Sequence, residues 1–201
     1  MAVPPTTLRD EFRRTARAAR AAFVTSLSAE RRAALNIALI ERLVPLLAGR
    51  ECVAGYAAFN DEIDPAGADF ALWPRVGAPG LPLTFHRVAA TALEVGGWGI
   101  LEPRADAPLG RPDAVIVPLL AVDPRGFRLG YGKGHYDRTL AHLDALRIGV
   151  AWDCQIVERV PEATWDERLD WLVTPTQTLK CGADAPGRCD PATVGDGGGG
   201  G

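Results

Sequence analysis

Leucines at positions 35, 39 and 43 recur every fourth residue and lay one apolar stripe along a segment that opens at Ser28, with Glu30 in its first turn. A serine at that point can cap free helix N–H groups, so the pattern predicts a helix starting there. Ahead of it, residues 8–22 are rich in Arg and Ala and hold neither Gly nor Pro. That composition predicts another helix. Its arginines read as an ordinary solvated face; an arm laid over an anionic ligand is the alternative.

Further on the pattern changes to short apolar runs. Residues 52–59 (CVAGYAAF), 114–117 (AVIV), 147–151 (RIGVA) and 170–174 (DWLVT) have the length and apolar density of buried strands. Residues 81–88 (LPLTFHRV) predict a strand that Pro82 confines to an edge. NDEIDP reads as a loop opening a helix near Pro65, and a helix is expected from about His135 to Leu143. Strands alternating with helices give an α/β fold: a mostly parallel sheet covered on both faces. Ligands of such sheets bind beyond the C-terminal strand ends. The NDEIDP loop, the glycine-rich loop that follows 114–122, and the WDC turn are placed to meet there.

Composition narrows the function. The 201 residues, 47% hydrophobic and 23% charged, suit one globular domain over residues 1–180. Residues 181–201, rich in Gly, Pro and Asp, read as a mobile tail. A formal net charge of −3 offers no basic footprint for nucleic acid. The longest apolar run, residues 114–122, falls far short of the roughly 20 residues that span a bilayer. No charged segment leads into an apolar one near the N-terminus, so a cytoplasmic protein with no membrane partner is expected. Cys52, Cys154, Cys181 and Cys189 form no CxxC pair and read as reduced thiols without function.

The chemistry concentrates in RLGYGKGHYD, residues 128–137. Its spacing excludes two phosphate motifs. A Walker A loop needs a Ser or Thr after its lysine, where Gly134 stands, and Gly130, Gly132 and Gly134 give GxGxG rather than GxGxxG. The physical logic survives: alternate glycines let backbone amides approach an anion, and a helix opening near His135 points its N-terminal end the same way. Of the 22 basic residues only Lys133 and Lys180 are lysines, so an ammonium inside this loop stands out. It is a compact charge able to follow a phosphoryl group as it moves. Asp137 is a hard oxygen ligand suited to Mg²⁺. A glycine-rich surface turn salt-bridged through Asp137 and Arg138 is the plain alternative.

The segment VPLLAVDPRGFRLGYGKGHYDRTL closely resembles the signature of the 5-formyltetrahydrofolate cyclo-ligase family. LRDEFRRTARAAR, SAERR, GYAAFNDEIDP, WGILEP, IGVAWDCQIVERVP and WDERLDWLVTPT agree in order, so the resemblance covers roughly residues 6–176. It implies a three-layer α/β/α fold with an N-terminal helical arm. It also implies use of ATP and Mg²⁺ to convert 5-formyltetrahydrofolate into 5,10-methenyltetrahydrofolate, with ADP and phosphate released. By matched position, Arg9 and the run Arg128, Leu129, Gly130, Tyr131, Gly132, Lys133, Gly134, His135 and Tyr136 would bind ATP, with Lys133 as the catalytic cation. Ala57, Glu62, Trp98, Tyr131 and His135 would contact the folate, and Asp137 and Asp166 would hold the metal. Taken alone, Glu62 and Asp166 read as solvated loop carboxylates; only the resemblance raises them. Trp152 and Asp153 read as structural.

Three departures bear on affinity. Pro5 stands where the family commonly has a lysine, leaving Arg9 or Arg13 to compensate; Tyr131 replaces an arginine of some members, and His135 a tyrosine of many. A monomer acting on small molecules is expected. The competing readings are a sugar-phosphate or coenzyme A ester isomerase or transferase with Glu62 as base, and a folate- or nucleotide-binding module without turnover.

Overall fold

The computed structural model describes residues 5–182. In chain order the elements are α1 (Pro5–Thr25), α2 (Ala29–Leu43), β1 (Val53–Ala54), β2 (Trp73–Arg75), β3 (Thr84–His86), β4 (Glu94–Val95), β5 (Leu101–Glu102), β6 (Ala114–Val117), β7 (Ala121–Val122), β8 (Arg128–Leu129), α3 (His135–Leu140), β9 (Leu146–Val150), β10 (Trp171–Val173) and β11 (Thr178–Lys180). The segment read as a tail, with Cys189, lies outside the described residues except for Cys181 and Gly182.

The central sheet has the order β1-β6-β9-β10-β11. The first four strands run parallel, and β11 closes the edge antiparallel to β10. Alternate side chains of β6 and β9 face opposite layers, as the two-residue period of a strand requires. On one face Ile116, Ile148 and Val150 pack with Leu35, Leu39 and Leu43 of α2. Burying each of these leucines is worth about 2 kcal/mol, so the stripe holds α2 to the sheet. Ser28 caps α2 by accepting from Arg31 N at 3.2 Å. On the other face Val115, Val117 and Leu172 pack with Leu140 of α3 and with Leu72, Leu83 and Phe85 around the antiparallel β2–β3 ribbon. The mixed α/β fold with a mostly parallel sheet is thus as expected, with α3 sharing its layer with the ribbon.

Several elements differ in extent, among them the strand expected over 81–88, which forms only at Thr84–His86, and α1, which is longer than residues 8–22. The run 52–59 forms a strand only at Val53–Ala54, because beyond it Gly55 N turns to bond Leu72 O at 3.0 Å and Phe70 fills the space where a Gly55 side chain would stand. The helix expected to reach Leu143 ends at Leu140. Near Pro65 the chain makes one 3₁₀ turn, Ala66–Ala68.

Helix α1 is not a solvated rod. Phe12 and Ala16 pack on Phe127, Leu129 and Val160, and the Phe23 ring lies 5.8 Å from that of Trp152. These contacts lay α1 across the β7–β8 ribbon and the residues that follow the C-terminal ends of the parallel strands. Pro5, the position at which the resemblance implies a lysine, is the first residue of the helix.

Candidate active site

The glycine loop is held from below by a buried carboxylate. Asp123 follows β7, is fully buried, and accepts from Arg125 N at 3.0 Å, Arg125 Nη2 at 2.7 Å and Val160 N at 3.0 Å. This ties the turn between β7 and β8, from which the chain runs directly into residues 130–134. Gly132 (φ 89°) and Gly134 (φ 67°) take left-handed conformations that a side chain would strain. At Gly132 the glycine also admits α1: a Cβ there would lie 3.1 Å from Arg13 Cζ, and Arg13 Nε donates to Gly130 O at 3.1 Å. The loop is therefore moulded partly by the helix above it.

Two side chains of this loop reach residues far away in sequence. Lys133 Nζ stands over the ring of Trp98, 5.6 Å from its centroid. Trp98 is 66% exposed at the tip of the β4–β5 hairpin. The Tyr131 hydroxyl donates to Glu62 Oε1 at 3.0 Å and accepts from Arg20 Nη2 at 2.7 Å. Arg20 Nη2 also donates to Asp61 Oδ1 at 2.8 Å, and Arg20 Nη1 to Leu119 O at 3.3 Å. Phe59 N donates to Glu62 Oε2 at 3.0 Å. Behind this loop the fully buried Trp152 donates Nε1 to Asp61 O at 2.9 Å, which gives that tryptophan a structural role.

Burial governs the titration of these groups. It pushes the Glu62 carboxyl above its usual range, against the Phe59 N–H, Arg20 and Tyr131, all of which favour the ionised form. Burial, reinforced by Glu62, pushes the Tyr131 phenol up to about 12. Burial also raises Tyr136. Burial opposes the charge on Arg20, but the hydrogen bonds to Asp61 and Tyr131 outweigh it and raise the guanidinium further.

A second charged cluster sits on the other side of the loop. Arg128 Nη2 donates to Asp137 Oδ1 at 2.8 Å, and Arg128 Nη1 bonds Glu167 O. Burial lowers the Arg128 pKa, countered by Asp137 and then by Asp166. Asp166 is gripped by Arg9 from α1 through paired bonds of 2.6 and 3.1 Å, and its Oδ2 also accepts from Ala163 N at 2.7 Å. Among the described residues no three His, Cys, Asp or Glu side chains gather as a metal cage. Two carboxylates beside the glycine loop are nevertheless of the kind that bind Mg²⁺ together with phosphate oxygens. Asp137, whose Oδ1 takes the bond from Arg128, has the freer carboxylate of the two.

The remaining expected residues are placed less directly. Leu129 is buried core, and its carbonyl is taken by Leu120 N at 2.7 Å. His135 Nδ1 lies 3.4 Å from Leu81 O, and Ala57 packs against the α2 side of the core. Two open cavities of about 560 and 610 Å³ lie elsewhere, lined mainly by charged side chains such as Glu94 and Arg104 in one and Arg50 and Asp144 in the other. Neither has the apolar walls of a ligand cleft. Sequence reading missed Arg20 and Asp61, and it named Arg13 only as a stand-in for a lysine, not as a donor to Gly130 O. A signal existed: Arg9, Phe12, Arg13, Ala16, Arg20 and Phe23 share one helical face at three- and four-residue spacing.

A family model described as the 5-formyltetrahydrofolate cyclo-ligase family matches residues 10–175. The chain is 37% identical to a 5-formyltetrahydrofolate cyclo-ligase of Escherichia coli (strain K12) over 144 residues, covering 62% of this chain and 78% of the relative. It is 34% identical to that of Haemophilus influenzae over 134 residues, covering 58% and 72%. The fold superposes on a 5,10-methenyltetrahydrofolate synthetase of Aquifex aeolicus with a TM-score of 0.74 at 29% identity, covering 94% of this chain and 100% of the other.

Proposed function

The chain belongs to the 5-formyltetrahydrofolate cyclo-ligase family, and from that premise we propose that it closes 5-formyltetrahydrofolate to 5,10-methenyltetrahydrofolate at the expense of ATP, with Mg²⁺, releasing ADP and phosphate. A formamide oxygen is a weak nucleophile, so the chain has to align it with the γ-phosphorus and offset the charge that develops. Lys133 supplies the movable cation. The backbone amides of residues 130–134 hold the phosphates, and Arg128 and Arg9 frame the site. Phosphorylation turns the formyl oxygen into a leaving group; the neighbouring amine of the substrate then attacks the formyl carbon and phosphate departs. Glu62 accepts from the donor edge of the pterin, with Trp98 as its aromatic wall. Asp137, with Asp166, would hold Mg²⁺, which neutralises phosphate charge when bound.

One juxtaposition carries this reading. The loop suited to phosphates touches the carboxylate and the indole suited to a pterin, through the Tyr131–Glu62 hydrogen bond and the Lys133–Trp98 contact. A two-substrate transfer needs its two subsites adjacent in this way.

The test is the absorbance of methenyltetrahydrofolate formed from 5-formyltetrahydrofolate, with and without MgATP, in the parent protein and Lys133→Ala. Turnover is expected only with MgATP, and the substitution should lower kcat by about 10²-fold or more, the usual cost of removing a transition-state charge partner. Binding of both ligands without product would make the protein a binding module. Equal activity in the variant would remove Lys133 from the chemistry.

A further inference from the structure

Arg20 has no place in the chemistry described so far, yet it is 2% exposed and its guanidinium joins four parts of the chain. It leaves α1 to reach Asp61 beside Glu62, the Tyr131 hydroxyl of the glycine loop, and Leu119 O beyond β6. Nη1 and Nη2 make three bonds that fix the guanidinium in a dry site, while Nε, like Asp61 Oδ2, is buried without a hydrogen-bond partner among the described residues. It does not hydrogen-bond Glu62: the nearest approach, Nη1 to Oε1, is 4.0 Å.

The effect on Glu62 is visible in how its oxygens are used. Oε1 accepts from Tyr131 and Oε2 from Phe59 N, so the protein takes one bond at each oxygen. Each retains a further acceptor site, and the pair forms a fork for two parallel N–H donors. Rotation of the carboxylate would break one anchor or the other. Tyr131 is anchored in turn by Arg20.

We propose that Arg20 is a positioning residue of the folate subsite: through the Tyr131 hydroxyl and Asp61 it aims the Glu62 carboxylate at the two donors of the bound ring. This rests on the reading of Glu62 as the pterin acceptor. Arg20 is also the cation nearest that carboxylate. Around Glu62 stand Tyr131 from the glycine loop, Tyr136 from α3, Tyr56 from the segment after β1, and Asp61 and Asp64 from its own loop. Arg32 from α2 bonds only carbonyls there, Asn60 O at 3.2 Å and Glu62 O at 3.3 Å. Loss of Arg20 therefore leaves Glu62 among acids and phenols, and its proton should be held to higher pH.

The experiment compares Arg20→Gln, Arg20→Lys and Tyr131→Phe by steady-state kinetics across pH and by ¹³C titration of Glu62 in the ligand-free protein, assigned with Glu62→Gln. In Arg20→Gln the KM for 5-formyltetrahydrofolate should rise about tenfold or more while that for MgATP stays within about twofold. The Glu62 titration should move up. Arg20→Lys keeps the charge without the fork, so it should restore the titration but not the KM. Equal rises in both KM values, or an unmoved Glu62, would overturn the proposal. If Arg20→Gln does not fold, Arg20→Lys decides: a selective rise in the folate KM supports the relay, and an unchanged KM ends it. Should the parent protein cyclise nothing, the functional reading fails, while the ligand-free titration still decides whether Arg20 governs Glu62.

Discussion

Removing Arg9 is the sharpest test of how α1 is fastened over the site. Arg9 and Asp166 are 14% and 3% exposed, and the pair is bidentate at 2.6 and 3.1 Å, with Arg9 Nη1 also donating to Pro161 O at 3.0 Å. Exposed ion pairs are worth little, but breaking a buried one strands a charge and costs about 3–5 kcal/mol. Among the described residues, Arg9→Ala leaves Asp166 only the Ala163 N–H, at 2.7 Å. With about 2–4 °C per kcal/mol for a chain of this size, the melting temperature should fall by roughly 6–20 °C. Asp166→Asn alone leaves a guanidinium facing a neutral acceptor, and the double variant should recover part of the loss. A cycle of urea unfolding curves should then give a coupling of about 2 kcal/mol between the two positions. Arg9→Ala within about 0.5 kcal/mol of the parent, or a coupling near zero, would refute the claim that this clamp holds the helix down.

Two other outcomes follow from single contacts. Gly55→Ala places a Cβ 1.9 Å from a carbon of the buried Phe70 ring, so overpacking should cost about 1–3 kcal/mol or more in urea unfolding, and Phe70→Leu should return part of it. Burial raises the Asp61 pKa, but the hydrogen bond and charge of Arg20 outweigh it and hold the carboxyl below its ordinary 3.8. A depressed folded value contributes stability that is present above 3.8 and lost as pH falls through that lower value. Asp61→Asn should therefore destabilise by roughly 1–3 kcal/mol at pH 6, with the gap to the parent narrowing below pH 3.8.

What could be read from the chain was what is local. The Ser28 cap and the leucines at 35, 39 and 43 act within one helix, and their period survives into the structure unchanged. The extent of β1 could not be read, because residues 52–59 are apolar throughout and pairing stops where Gly55 turns to Leu72. Likewise β2 contains Pro74, a residue that argues against a strand, and is tolerated because β2 has a strand partner, β3, on one side only. At the site, the glycine loop was legible because glycine spacing and a rare lysine are themselves the signal. Arg20 and Asp61 were not: an arginine in an Arg-rich helix looks solvated until the fold brings 61 and 131 to it.

The arginine-heavy composition has a mechanical consequence at the site. Arg9, Arg13, Arg20 and Arg128 all spend their planar forks on fixed acceptors of the protein, namely Asp166, Gly130 O, Asp61 with Tyr131, and Asp137. Arg17 lies over the Tyr131 ring, 5.2 Å from its centroid. A guanidinium committed to two or three acceptors makes a frame, since moving it breaks several bonds at once. Lys133 is different: among the described residues its ammonium meets the face of Trp98 alone, a soft contact worth about 0.5–1 kcal/mol at an exposed position. A phosphoryl group in transfer changes place between two oxygens and needs one cation that can move with it inside a frame that does not. On the function proposed above, the arginines would be that frame and Lys133 the cation that moves within it.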